Sequence, residues 1–441
     1  MFEENIVIDP FDLYYLFRED YSILLESNLF HREYGRYSFI FLRPKEIFIC
    51  REEDNARSYL RLFSKEIEKR RKEDNLIFNG GFAGYLSYDF GVDLFNIPRK
   101  KNQSFPKAFF GYYEDFIIFD HLINKMYISP NIYKDIKEIL LSRRERIYSF
   151  KGNKLYRYYV NFEREEYLEA IKKIKKYIYE GDVYQVNLSQ RFIFEGEFDP
   201  YHIYYQLRKK NYGSFHAFIK IQDKYVISTS PELFLYKIKE KIVTRPIKGT
   251  IKRGKDDYED KVYRETLIND EKCRSELLMI VDLERNDFAK ICIPSSINVK
   301  RLFEVEEYST VYHLVSTVEG NLKKNVTFED IIKATFPGGS ITGAPKLNAI
   351  KIIEELEKDP RGIYTGSIGF VANNFNMAFN IAIRTLLVER DKAYYNVGGG
   401  IVWDSIEEDE YEETLHKGKP LLNVFLENSF HRIRGAEKIG R

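Results

Sequence analysis

Cysteine is scarce in this 441-residue chain: Cys50, Cys273 and Cys292 are the only three. They are odd in number and far apart, which argues against a disulfide framework and points to a reducing, cytoplasmic setting. No CxxC or HExxH spacing occurs, so a zinc or iron–sulfur centre has no support. An excess of one charge is also missing. Lys+Arg is 69 and Asp+Glu is 68, a formal net charge of +1, without the basic bias of a nucleic-acid binder. No apolar run approaches the roughly 18 residues of a membrane-spanning helix. The start, Met1-Phe2-Glu3-Glu4-Asn5, is acidic and lacks the layout of a secretory signal. Repeats, low-complexity linkers and a GxGxxG fingerprint are absent. Gly338 to Lys346 faintly resembles a phosphate loop, but alanine follows Gly343 where a P-loop needs lysine.

What is present is enough apolar residue, 44%, for a sizeable core. Strand-like and helix-like runs mix without a regular βαβ beat, which predicts an α+β protein. A polar break at Ser149–Lys154 divides an N-terminal region, 1–150, from a larger region, 151–425, with 426–441 as a tail. Leu168, Ile171, Ile174 and Ile178 predict a helix over 164–180, stopped by Gly181. Residues 256–285 read as one long charged helix. Thr327 to Asp330 reads as a capping-box entry, and Pro345 opens a helix running to Leu356. Residues 377–388 read as a single strand, with Phe379, Ile381 and Ile383 on one face and Asn380 and Arg384 on the other.

Several groups of residues invite chemistry. Ser405 with Glu408 fits a capping box, and Glu410, Glu413 and Lys417 follow. At about 100° per residue these three share one helix face. They form either a surface ion-pair ladder or a pair of oxygen ligands for a divalent cation with a lysine beside it. Gly398-Gly399-Gly400, read as a flexible segment after a strand, lets backbone groups approach an anion closely. The Gly/Ser segment 338–346 leads into a helix N-terminus, which also suits an anion. Glu276 opens a helix crowded with apolar residues, so at least one of its acids faces inward; Asp282 and Arg285 read as a structural pair. Lys248, between Ile247 and Gly249, is either an exposed loop lysine or a desolvated nucleophile. His313 reads on its own as a satisfied core histidine.

The joint order of these signals is more specific than any one of them. The sequence resembles the chorismate-utilising enzymes, most closely the aminodeoxychorismate synthase component I branch. The resemblance rests on Gly181–Phe192, Ser230–Glu232, Arg245–Thr250, Glu276–Asp287, His313–Ser316, Phe336–Lys346, Ile383–Thr385 and Gly398–Lys417. Leu24–Ser27 and Gly80–Tyr85 add weaker pieces. It implies antiparallel sheets packed as a sandwich, with helices outside and a central cleft. It implies Mg²⁺ bound with chorismate: Glu276 and Glu413 match the direct ligands, with Glu410 behind them. Arg384 and Tyr364 match residues on the enolpyruvyl carboxylate. Gly249, Thr250, Ser340, Gly398, Gly399, Gly400 and Lys417 match groups around the ring carboxylate and metal. Glu232 matches the general acid for the departing 4-hydroxyl, and His313 joins the catalytic set. Lys248 matches a nucleophile that attacks C2 before ammonia attacks C4.

Two positions select the branch. Relatives that add water carry a lysine where this chain has Gln185, and anthranilate synthases carry alanine in place of Lys248. The resemblance therefore implies 4-amino-4-deoxychorismate as product, leading to 4-aminobenzoate and folate. Ammonia comes from a separate glutamine amidotransferase subunit. Anthranilate synthase component I is the nearest alternative, and a silent chorismate-binding partner protein is the other. The chain departs from the family at Cys273, where an acid often stands. It also lacks the Pro-rich pattern near Asn211–His216 that helps hold feedback tryptophan in anthranilate synthases, so the N-terminal pocket around Leu25, Glu26 and Ser27 is expected to give no tryptophan regulation or to hold a purely structural ligand.

Overall fold

The computed structural model describes residues 1–29, 33–100, 104–142, 148–308 and 311–426. Of the expected tail, residues 427–441 lie outside the described residues. Two antiparallel sheets, one of twelve strands and one of ten, form the body among these residues. Strands from both sides of residue 150 pair directly in each sheet. Ile23–Glu26 lies beside Phe215–Ile221 in the larger sheet, and Gly81–Leu86 lies beside Ser367–Ala372 in the smaller. No helix among the described residues is long and apolar enough to cross a membrane.

The period-2 pattern of the strands explains the layering. In Tyr37–Leu42, Phe39 and Phe41 enter a core with Ala83, Tyr85, Phe109 and Phe370 of the smaller sheet. Their neighbours Ile40 and Leu42 point the other way, into a core with Phe11, Tyr14 and Tyr204 on outer helices. Phe82, Leu86 and Phe110 do the same for the smaller sheet, against Phe63, Leu277 and Phe288. Each such ring contributes about 1.5–3 kcal/mol on burial. The result is the expected α+β sandwich with helices outside.

The helices match the sequence reading with informative exceptions. Arg164–Tyr179 forms as expected, and Gly181 adopts φ +84° just after it. Thr327 and Asp330 form the capping box of Phe328–Thr335. The long segment divides into Asp257–Asn269 and Glu271–Ile291, because Asp270 turns extended and accepts a bond from Cys273 N at 2.8 Å. Ser405 does not cap with Glu408; its hydroxyl donates to Glu410 Oε1 at 2.7 Å. Asp282 and Arg285 are the exposed pair anticipated, at 2.9 Å, while Glu284 and Asp287 are the acids that face inward.

The single strand expected over 377–388 is two strands in different sheets. Met377–Asn380 belongs to the smaller sheet and Thr385–Glu389 to the larger. The apolar alternation continues through the crossing, since Ile381 packs with the outer core and Ala382 with the inter-sheet core. Hydrophobic period reports a strand but not which sheet it joins. A second crossing lies beside it, at Pro231-Glu232 between Lys224–Ser230 and Leu233–Ile238. The two are tied together: Ile381 N donates to Glu232 O at 3.0 Å, Ser230 Oγ to Ile381 O at 2.6 Å, and Thr229 N to Arg384 O at 3.1 Å.

Candidate active site

The paired crossings place Glu232 and Arg384 on the wall of a cavity of about 730 Å³. Lys248, Gly249, Thr250, Glu276, His313, Ser340, Tyr364, Gly398, Gly399, Gly400, Glu410, Glu413 and Lys417 line the same cavity. Residues as far apart as Glu232 and Lys417 thus share one chamber of a size suited to a small polar ligand.

Lys248 is not on a loop. It lies in the strand Ile247–Lys252, paired with Val311–Asn321, and the register slips between Lys248 and Thr250. Gly249 takes φ +78° at this slip, the left-handed geometry that glycine adopts without strain. The bulge re-aims Lys248, whose Nζ lies 4.0 Å from Glu276 Oε2. It also turns Thr250 toward His313, with 2.8 Å between Thr250 Oγ1 and His313 Nδ1. A side chain on Gly249 would press on Cys273 Sγ at 3.0 Å. Cys273 therefore sits under the bulge, and its burial pushes the thiol up to about 12, so it adds no negative charge there.

The three glycines lie inside a strand, Lys392–Ile401, rather than after one, and they pair with Asn187, Leu188 and Ser189. Their role is to leave space. A Cβ on Gly400 would stand 1.9 Å from Gln185 Nε2 and 3.4 Å from Lys248 Nζ. A Cβ on Gly399 would stand 3.1 Å from Glu410 Oε2 and 3.8 Å from Glu413 Oε1. The helix Glu407–Leu426 crosses above, presenting Glu410, Glu413 and Lys417 on the face expected from their spacing. Lys417 Nζ bonds Gly398 O at 2.9 Å and pairs with Glu413 at 2.5 Å.

The electrostatics divide the chamber. Burial pushes the Glu232 carboxyl up to about 7, although a bond from Ser340, the charge of Lys248 and a backbone bond at Ile247 pull the other way. Burial also raises Glu276; Lys248 and Lys272 oppose the shift, while Glu410 and Glu413 add to it. Burial and the Arg384 charge push His313 down to about 3, so its imidazole is neutral across physiological pH. Arg384 adopts φ 50° at the sheet crossing. Its guanidinium is depressed by burial, offset only by Tyr395 and Tyr308, and no carboxylate pairs with it among the described residues. A half-buried guanidinium without an acid is a receptor for an anionic ligand.

Sequence reasoning missed Lys272, Tyr395 and Asn187, which also line the cavity. Lys272 was the most accessible of these, four residues before Glu276 on one helix face. It also missed the support behind the floor. Arg361, 1% exposed, is held by Glu357 at 2.6 and 2.9 Å and donates to Asn187 O at 2.7 Å and Ile341 O at 2.9 Å. Glu357, four residues before it, is the one local sign of that arginine; the carbonyls it reaches, at Asn187 and Ile341, come from other segments.

The expected N-terminal pocket is separate. Leu25 and Glu26 line a cavity of about 50 Å³ between the sheets, with Tyr34, Phe39, Tyr236 and Phe370 among its walls. Glu26 is bonded by Tyr204 Oη at 2.6 Å and Arg208 Nε at 2.9 Å. The Ser27 hydroxyl turns to the carbonyls of Leu29 and Gly35, at 2.9 and 2.8 Å.

Comparison with known proteins fits this geometry. Residues 25–423 match the chorismate binding enzyme family. Aminodeoxychorismate synthase component 1 of Bacillus subtilis (strain 168) is 35% identical, covering 87% of this chain and 84% of that protein. Anthranilate synthase component 1 of Aquifex aeolicus (strain VF5) is 36% identical, covering 92% and 89%. The crystal structure of anthranilate synthase component I from Streptococcus pneumoniae TIGR4 superposes with a TM-score of 0.77 at 28% identity, covering 96% of this chain and 99% of that one. Relatives of both activities are thus about equally similar, and the match embraces both sheets and every wall of the cavity. The chain belongs to the chorismate-binding enzyme family.

Proposed function

We propose that this enzyme is an aminodeoxychorismate synthase component 1, converting chorismate and ammonia to 4-amino-4-deoxychorismate for 4-aminobenzoate and folate synthesis. The observation that carries the proposal is Lys248, delivered into the cavity by the Gly249 bulge, with its amine beside Glu276 and the open floor at Gly400.

In this reading Arg384, with Tyr364 near it, holds the enolpyruvyl carboxylate. Lys248 attacks C2 as the free amine. The ring double bonds shift, the C4–O bond breaks, and Glu232 gives its proton to the departing hydroxyl, which leaves as water. Ammonia then bonds to C4, the double bonds shift back and the C2–N bond to Lys248 breaks. The surplus proton on the new C4 amine returns to Glu232. Neutral His313, fixed by Thr250, orients rather than titrates.

The acidic end suits a divalent cation by its donors. Among the described residues no three acidic, cysteine or histidine groups stand close enough to hold an ion unaided. Glu276 and Glu413 would supply two ligands, with Glu410 behind, and the substrate carboxylate and water would complete the set. Mg²⁺ so held would draw electron density toward the ring carboxylate as the hydroxyl leaves. The proposal includes a cytoplasmic location and a separate glutamine amidotransferase subunit as ammonia source.

The test is product identification. The purified chain, chorismate, Mg²⁺ and ammonium should yield an amino-substituted chorismate that aminodeoxychorismate lyase converts to 4-aminobenzoate. Anthranilate with pyruvate, without the lyase, would place the chain with the other activity. Tight binding of chorismate without turnover would mark a silent binding protein. Arg384→Gln is expected to raise KM for chorismate about ten- to a hundredfold, the scale of one charged hydrogen bond, with a smaller change in kcat. Steady-state kinetics checks this.

A further inference from the structure

Lys272 has no role in the reaction proposed above, yet it stands at the acidic end of the cavity. Each of the three carboxylates there has a lysine beside it. Lys248 Nζ is 4.0 Å from Glu276, Lys272 Nζ is 3.6 Å from Glu410, and Lys417 Nζ is 2.5 Å from Glu413. Lys272 also acts on Glu276, one helical turn along the helix Glu271–Ile291. Its ammonium is thus paired with an acid of the facing helix, Glu410, while its own helix carries Glu276 one turn on.

We infer that Lys272 is an internal counter-ion held at the acidic end by Glu410, and that a divalent cation bound through Glu276 and Glu413 enters by displacing its ammonium. The inference rests on the metal reading above and goes beyond it by assigning a competitor. Three carboxylates, three lysines and Arg384 share the chamber and leave one positive charge, so a dication that expels Lys272 and arrives alone raises it to two in a confined space. A dicarboxylate arriving alone leaves one negative charge. Together they leave none. Each then favours binding of the other, a coupling that is reciprocal by thermodynamic necessity. Lys272 suits the role because its side chain is 53% exposed and can swing out, whereas that of Lys248 is 13% exposed.

The test uses Mn²⁺ as the probe, with free ion followed by electron paramagnetic resonance, on the full chain without chorismate. Lys272→Gln is expected to tighten Mn²⁺ binding about two- to fivefold, the change that a partly exposed ion pair supports. Lys272→Arg, which keeps the charge, should bind like the wild type. Glu276→Gln should abolish binding. Equal affinity in wild type and Lys272→Gln, with binding still lost in Glu276→Gln, would overturn the displacement and leave the metal site standing. Binding unaffected by Glu276→Gln, or no binding in any variant, would overturn the metal reading and the displacement with it. Circular dichroism of each variant keeps loss of fold from passing as loss of binding.

Discussion

Lys248→Ala is expected to lower formation of aminodeoxychorismate on the order of 10³-fold or more, the scale on which removal of a covalent nucleophile acts. The residual turnover should shift toward anthranilate. The argument is positional. The amine comes from a bulged strand, and Gly249 at φ +78° sets its direction. Opposite it, Gly400 has no side chain, and a Cβ there would sit 3.4 Å from the amine. Without the amine, the floor at Gly400 and Gln185 lies open to ammonia itself, and direct attack at C2 leads to the other product. Chromatography with mass detection separates the two compounds. A variant with wild-type rate and product would remove Lys248 from the mechanism. Lys248→Arg should not rescue, because a guanidinium keeps its proton and is a poor nucleophile.

Glu232→Gln is expected to cost about 10²–10⁴ in kcat, because expulsion of hydroxide then proceeds without a positioned proton. The pH profile gives the sharper reading. Glu232 acts as the acid, and burial holds its carboxyl up to about 7. The wild-type rate should therefore be level on the acid side of this group and fall as pH rises through about 7. The glutamine variant should lose that limb. Stability moves in the same direction with pH. The carboxyl titrates near 4.5 when unfolded and near 7 when folded. Its favourable contribution is thus complete below 4.5 and lost as pH rises through 7. The glutamine variant should melt no lower than wild type at pH 8, which separates lost catalysis from lost fold. A basic limb unchanged in the variant would assign the titration to another group.

The two experiments bear on different walls of one chamber. Lys248 and Glu276 lie at the acidic end, Glu232 and Arg384 at the crossing between the sheets. Their division of labour follows from local environment: an amine against a carboxylate, a carboxyl out of water, and a guanidinium without a counter-ion.

By itself the sequence determined the elements whose evidence is local. The spacing of Glu410, Glu413 and Lys417 put them on one helix face because a helix repeats every 3.6 residues. The Thr327–Asp330 box announced a helix start. The ordered motifs, taken with their resemblance to known enzymes, were enough to gather the residues that now line one cavity. Tertiary structure alone decided the rest. Hydrophobic period is the same in either sheet, so only the fold shows the chain changing sheets at Glu232 and again at Arg384. A bulge is a matter of register between two strands, so the direction of Lys248 depended on Val311–Asn321. The glycines 398–400 looked like a flexible turn because their need for space comes from Gln185 and Glu410, which are distant in sequence. Arg361 and Lys272 each have an acid four residues away, but what they do depends on Asn187 and Glu410, which only folding brings near.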